Sequence, residues 1–134
     1  MKKAAGILVI NKTKCLLCKR NTEGSLPGEW SVPAGKIEPD EDVLSGARRE
    51  FYEETDIDID GELEFIGVIK RFNREGTKPK GVLYLFKYLS DDLLIPNLSS
   101  ALDGDEHTEC GYFEKNDLPL PMGNTFRSIV KNNL

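Results

Sequence analysis

Glu50, Glu53 and Glu54 fall within the run Arg49-Glu50-Phe51-Tyr52-Glu53-Glu54. On a helix, residues three and four apart share a face, so Glu50 lies beside both other glutamates. Each like-charge neighbour costs about 0.2–0.5 kcal/mol, which a cation between them would offset. Hard divalent cations such as Mg²⁺ and Mn²⁺ take oxygen ligands from carboxylates, carbonyls and water. The spacing therefore reads as a divalent-metal site. The plainer alternative is a solvated acidic helix face, and helical phase weighs against it. At about 100° per residue, Val43, Leu44, Ala47 and Phe51 form one apolar stripe. Glu54 falls inside that stripe, Glu50 at its edge and Glu53 further round. A carboxylate beside a buried face is costly unless paired or metal-bound. Arg49 stands four residues before Glu53, where it can form an ion pair and fix that carboxylate's direction.

The elements that must position this helix precede it. Trp30 to Glu41 runs from a strand into a loop. Gly35 permits positive φ or close approach of the backbone to a ligand. Pro39 or Asp40 is expected to begin the helix, with Asp40 able to cap it. Acidic residues at that end complement the helix dipole. Taken alone, Pro33, Gly35 and Pro39 would do no more than shape a connector.

Together these residues resemble the Nudix hydrolase family, whose box reads G-x5-E-x7-R-E-U-x-E-E-x-G-U, with U a bulky apolar residue. Gly35, Glu41, Arg49, Glu50, Phe51, Glu53, Glu54 and Ile57 match, eight of the nine specified positions. Asp56 departs, standing where the family has glycine. Asp tolerates the left-handed region better than most residues, so the turn after the helix is expected to survive. The resemblance implies an α/β/α sandwich with a mixed sheet between helices. It also implies Mg²⁺- or Mn²⁺-dependent hydrolysis of a nucleoside diphosphate linked to another moiety. By position, Glu50, Glu53 and Glu54 would hold the metal together with the Gly35 carbonyl. Glu53 and Arg49 enter as catalytic candidates, and Glu41 with Arg49 would support the loop–helix geometry. Divalent ions neutralise charge building on phosphate oxygens and acidify bound water, and a free carboxylate can orient or deprotonate that water. Which glutamate is the base stays open.

The remaining signals are weaker. Many members of the family carry a further glutamate that reaches the metal site. Glu106 is preferred over Glu109 because a loop position can swing toward the metal; an ordinary surface carboxylate is the even alternative. Arg20 ends a strand facing the expected cleft and could bind phosphate bidentately, although a solvent-facing strand arginine reads nearly as well. Glu41 is carried beside Arg20 as a substrate-binding candidate. His107 adjoins Glu106, and no catalytic role is assigned to it because metals and carboxylates already fill the roles.

The chain of 134 residues suits a single domain spanning 1–134 with a real core. Ala4–Ile10 and Lys14–Arg20 read as paired strands around Asn11-Lys12-Thr13, and Asn21–Gly28 as a loop. Glu62–Phe72 and Gly81–Leu89 carry strand-like residues joined by Asn73–Lys80, as a hairpin. Ser90–Asp105 is a long polar connection, the kind of loop that carries specificity. Thr108–Glu114 reads as a strand and Asn124–Asn133 as a terminal helix capped by Asn124. The run from Met1 to Ile10 briefly imitates a signal peptide, but Asn11-Lys12 ends it without a cleavage-like segment, so it reads as a strand.

No apolar run is long enough to span a bilayer. The net charge of −5 argues against broad binding to long nucleic acid but not against small phosphorylated substrates. Cys15 and Cys18 form a C-x-x-C that lacks the four ligands of a zinc site. In a strand their spacing points them to opposite faces. With Cys110 they read as buried or edge thiols in a reducing cytoplasm. Three functions follow: a pyrophosphohydrolase of small nucleotides, acting as monomer or homodimer; an RNA 5′-end pyrophosphohydrolase, which a basic rim around the cleft would favour; and a non-catalytic nucleotide-binding module. The last typically loses box glutamates, and this chain keeps them.

Overall fold

In the computed structural model, residues 2–21, 27–73 and 75–134 are described. They form a seven-stranded mixed sheet with one helix on each face, the sandwich that the sequence resemblance implied. Strand β1 (Lys2–Asn11) turns back into β2 (Lys14–Arg20) through Lys12, whose φ of 56° lies in the left-handed region. Short strands β3 (Trp30–Ser31) and β4 (Ala34–Lys36) lead to helix α1 (Val43–Thr55). The hairpin β5 (Glu64–Phe72) and β6 (Pro79–Leu89) follows, then β7 (His107–Glu114) and helix α2 (Asn124–Asn132).

Strand β1 is the hub. It runs parallel to β6 from Lys2↔Gly81 to Ile10↔Leu89, and antiparallel to β4 through Ala5↔Gly35. Strand alternation sorts its side chains between two cores. Ala5, Ile7 and Val9 pack with Leu16, Ala47 and Phe51 beneath α1. Leu8 and Ile10 pack with Leu17, Leu85, Phe126 and Val130 beneath α2. Each such side chain, fully buried, contributes about 1.5–3 kcal/mol. Both helices are thus pinned to the strand that also carries β4, and β4 presents Gly35.

Several expectations need correction. Helix α1 starts at Val43, not at Pro39 or Asp40, because Asp42 takes the cap: its side chain accepts from the Ser45 N–H at 2.7 Å. Leu44 lies outside the apolar stripe, 44% exposed; Gly46, Ala47 and Phe51 form the buried face with Glu50 and Glu54. Asn124 does not cap α2. The cap is Gly123, with no side-chain hydrogen bond, and Asn124 is the first helical residue. Cys18 and Cys110 are direct cross-strand partners and are joined as a disulfide, so the expectation of thiols holds only for buried Cys15. The opposite-face reading of Cys15 and Cys18 holds, since Cys15 lies in the α2 core and Cys110 against the α1 core. Most of the expected loop from Asn21 to Gly28 lies outside the described residues. Among the described residues, no helix is long and apolar enough to cross a membrane.

Candidate active site

The loop between β4 and α1 is organised by one guanidinium. Arg49 Nε and Nη2 donate to both oxygens of Glu41 at 2.7 and 2.9 Å. Nη2 also donates to the Lys36 carbonyl at 2.9 Å, tying the helix to the end of β4. Nη1 reaches Glu53 at 2.9 Å and Glu50 at 3.0 Å. Glu41 in turn accepts from the Glu38 N–H at 3.0 Å, closing the loop on itself. The Arg49 hydrogen bonds hold Glu41 below the usual carboxylate range, and the same carboxylates push the guanidinium up. Arg49, expected among the catalytic residues, is thus occupied in positioning. Glu41, expected to bind substrate, has both oxygens committed to Arg49.

At the other end of the helix, Asp56 takes the left-handed conformation at φ 63°, and its N–H donates to the Tyr52 carbonyl at 2.8 Å. The turn survives its missing glycine, as expected. The loop after β6 then docks on the helix's last carbonyls. Asn97 N–H donates to Thr55 O at 2.9 Å and Asp103 N–H to Glu53 O at 2.6 Å. This docking brings the short 3₁₀ turn Gly104–Glu106, and the start of β7, against the glutamates.

The three box carboxylates meet different surroundings. Glu53 is held by Arg49. Glu50 is buried against Gly35, where any Cβ would collide with its carboxylate. Burial pushes Glu50 up, partly countered by Arg49. Glu54 is 1% exposed, and neither of its oxygens has a hydrogen-bond partner among the described residues. Burial, then the charges of Glu106 and Glu50, push it up to about 10. His107 Nδ1 lies 3.6 Å from Glu54 Oε1. That is contact rather than a hydrogen bond, nor is it an ion pair, since burial and Arg20 pull His107 down to about 4.

Glu106, the preferred outer glutamate, lines the adjoining cleft. Burial and then the charges of Asp103 and Glu50 raise it. Glu109 instead pairs with Lys19 along β7 and is exposed. The cleft encloses about 450 Å³, with Gly35 and Glu106 on its wall. Lys2, Lys3, Arg20, Lys36, Arg71 and Lys80 contribute cations to it, against Glu29 and Glu106. Asn124 and Thr125 add polar groups from the start of α2. Sequence reasoning missed Arg71, which burial and then the charge of Arg20 pull down. Its signal was faint, one of two adjacent cations, Lys70 and Arg71, near the end of a strand that reads as apolar and aromatic in its middle.

A family model for the NUDIX domain matches residues 1–132. The chain belongs to the Nudix family. It is a hydrolase of pyrophosphate bonds. Solved structures share its fold. The MutT NUDIX hydrolase of Burkholderia pseudomallei is 22% identical, with a TM-score of 0.81, and 97% of this chain and 95% of that one are covered. An Ap4A hydrolase of Caenorhabditis elegans is 24% identical at TM-score 0.60, covering 87% and 82%. The NUDIX domain of Shewanella oneidensis NrtR, solved with ADP ribose, is 15% identical at TM-score 0.71, covering 98% and 86%. No curated protein sequence matches the chain.

Nudix hydrolases generally use divalent metals. Among the described residues, no three carboxylate or imidazole groups stand together in ligand geometry. Glu50 and Glu53 are turned onto Arg49. The donor set nevertheless fits a hard cation: three carboxylates on one helical turn, a backbone carbonyl at Gly35, and a buried Glu54 whose oxygens are otherwise unmatched.

Proposed function

We propose that this Nudix protein hydrolyses the diphosphate linkage of a small nucleotide, a nucleoside triphosphate or a nucleoside diphosphate joined to another group, with Mg²⁺ or Mn²⁺. One observation carries the reading: the unmatched carboxylate of Glu54 adjoins Ala34 and Glu106, which lie on the wall of a cation-lined cleft together with Gly35. Glu50, Glu53, Glu54 and the Gly35 carbonyl would hold the metal. When bound, the metal neutralises phosphate charge and acidifies water.

The chain's own residues do the rest. Arg49 fixes the directions of Glu53 and Glu50 near the C-terminal end of α1. Glu106, raised by burial and then by the charges of Asp103 and Glu50, is suited to take a proton or to orient the attacking water. Arg20, Arg71 and Lys36 bind the phosphates, Arg in bidentate fashion. Asn124, free of capping duty, offers amide donor and acceptor to a base edge.

A second reading has one observation in its favour. The basic lining of the cleft also suits the 5′-triphosphate end of an RNA, whose first phosphates would sit where those of a nucleotide do. A panel of nucleoside triphosphates, NDP-sugars, ADP-ribose, dinucleoside polyphosphates and 5′-triphosphate RNA, assayed with Mg²⁺ and Mn²⁺, tests both. Turnover of a small nucleotide supports the first reading, and turnover of RNA alone supports the second. A protein that binds but cleaves none of them contradicts both.

A further inference from the structure

Arg49 donates to Glu50 and to Glu53 but makes no bond to Glu54. Among the described residues neither Glu54 oxygen meets a donor in full hydrogen-bond geometry, although the Ala34 N–H and the Glu50 carboxyl lie near it. Beside it, along with the carboxyls of Glu50 and Glu106, stands His107, the first residue of β7, placed opposite Arg20 in the sheet. Its ring is fully buried, and neither nitrogen has a hydrogen-bond partner among the described residues. Two unsatisfied buried polar groups in contact are costly, about 1–3 kcal/mol each. An apolar side chain at 107 would suit packing better. The contact gains a purpose once one Glu54 oxygen is committed to a ligand and the other must be held in place.

We propose that His107 is a positioning residue for Glu54, its ring N–H fixing the carboxylate's orientation when the box holds a divalent cation. The inference rests on the metal-dependent reading above. A neutral imidazole carries one N–H and one acceptor nitrogen. The Nδ1–Oε1 distance of 3.6 Å becomes a hydrogen bond with a shift of roughly 0.5 Å. Glu54 would then keep its other oxygen for the metal. Groups around a ligand's far oxygen typically set metal affinity by about 10–100-fold.

Mn²⁺ binding, followed by electron paramagnetic resonance, tests this on the native protein, Glu54→Gln, His107→Leu and His107→Asn, beside thermal melts of each metal-free protein. Leucine removes the N–H; asparagine puts an amide N–H near the place of Nδ1. His107→Leu should bind Mn²⁺ about 10–100-fold more weakly, with a melt equal to or above native. His107→Asn should recover most of the affinity. Native-like binding by His107→Leu overturns the proposal. So does His107→Asn binding as weakly as His107→Leu with an unchanged melt. Should His107→Leu fail to fold, His107→Asn decides: near-native affinity supports the role, and a tenfold loss with a native melt overturns it. Failure of the metal-dependent reading looks different, because native protein would then bind no Mn²⁺ that Glu54→Gln abolishes.

Discussion

The two sides of the carboxylate helix are built on opposite principles. Around Arg49, nearly every polar group is matched: Glu41, Glu50, Glu53 and the Lys36 carbonyl share one guanidinium. At Glu54 itself, among the described residues, both carboxylate oxygens and both nitrogens of the adjoining His107 are buried without hydrogen-bond partners. The first region is complete as it stands and holds the loop to the helix. The second stores an unfavourable arrangement that a cation and an ordered hydrogen bond would relieve. Arg49 and Glu54, five residues apart in sequence, thus stand in opposite surroundings.

Breaking the unmatched side should cost the most activity. Glu54→Gln keeps the size of the side chain and removes the charge a hard cation needs. Turnover should fall at least about 100-fold, while folding survives or improves because burial of a carboxylate is relieved. Near-native kcat in this variant would place the ligand elsewhere. Gly35→Ala attacks the junction of the two sides. Its Cβ collides with the Glu50 carboxylate, so Glu50 must leave its place against β4. Mn²⁺ affinity should drop by about tenfold or more, and unchanged affinity would show that Glu50 has no fixed role.

Breaking the matched side should cost stability first. Arg49→Lys keeps the charge but loses the fork that spans Glu41 and Glu53. The guanidinium is partly exposed, so the expected destabilisation is about 1–2 kcal/mol after solvent screening, read from a denaturant melt. A melt equal to native would mean that the network contributes little to holding the loop.

The unmatched side also leaves a pH signature in the metal-free protein. Glu54 is raised from 4.5 to about 10 on folding. A raised carboxyl stabilises the fold below its unfolded pKa, and that contribution is lost as pH rises through the folded value. His107, pulled down from 6.5 to about 4, destabilises in the opposite sense below pH 6.5. Between pH 7 and 9.5, therefore, the native melting temperature should fall with pH more steeply than that of Glu54→Gln. Parallel curves would contradict the buried, unmatched carboxyl.

The smallest effect belongs to the far wall of the cleft. Asn124→Ser should leave the melt unchanged, because Asn124 caps nothing. If its amide reads a base, the ranking among nucleobases shifts while metal dependence stays intact. An unchanged ranking removes Asn124 from substrate choice.

How much of this was legible in the sequence follows the same division. The Arg49–Glu53 pair is local, one helical turn apart, and spacing alone revealed it. Glu54 inside the apolar stripe likewise announced a buried carboxylate. The Asp56 turn was read correctly because left-handed backbone has a short list of tolerant residues. The Asp42 cap was misplaced because Asp40 and Asp42 are chemically alike, and the loop's path decides which adopts the capping geometry. Asn124 suits a cap by its side chain, but backbone geometry gives that place to Gly123, which has no side chain to announce it. The Glu54–His107 contact and the Cys18–Cys110 bond join residues 53 and 92 positions apart. They depend on where β7 lands, which no local pattern encodes. Arg71 reaches the cleft only because β5 crosses beneath α2.

A divalent metal bound at the Glu54 end of α1 is the central expectation, and chelation tests it most directly. Protein stripped of divalent ions should lose hydrolysis of its best substrate from the panel, then regain it on addition of Mg²⁺ or Mn²⁺, with Glu54→Gln recovering almost none. Full turnover by rigorously metal-free protein, or full recovery by Glu54→Gln, would contradict it.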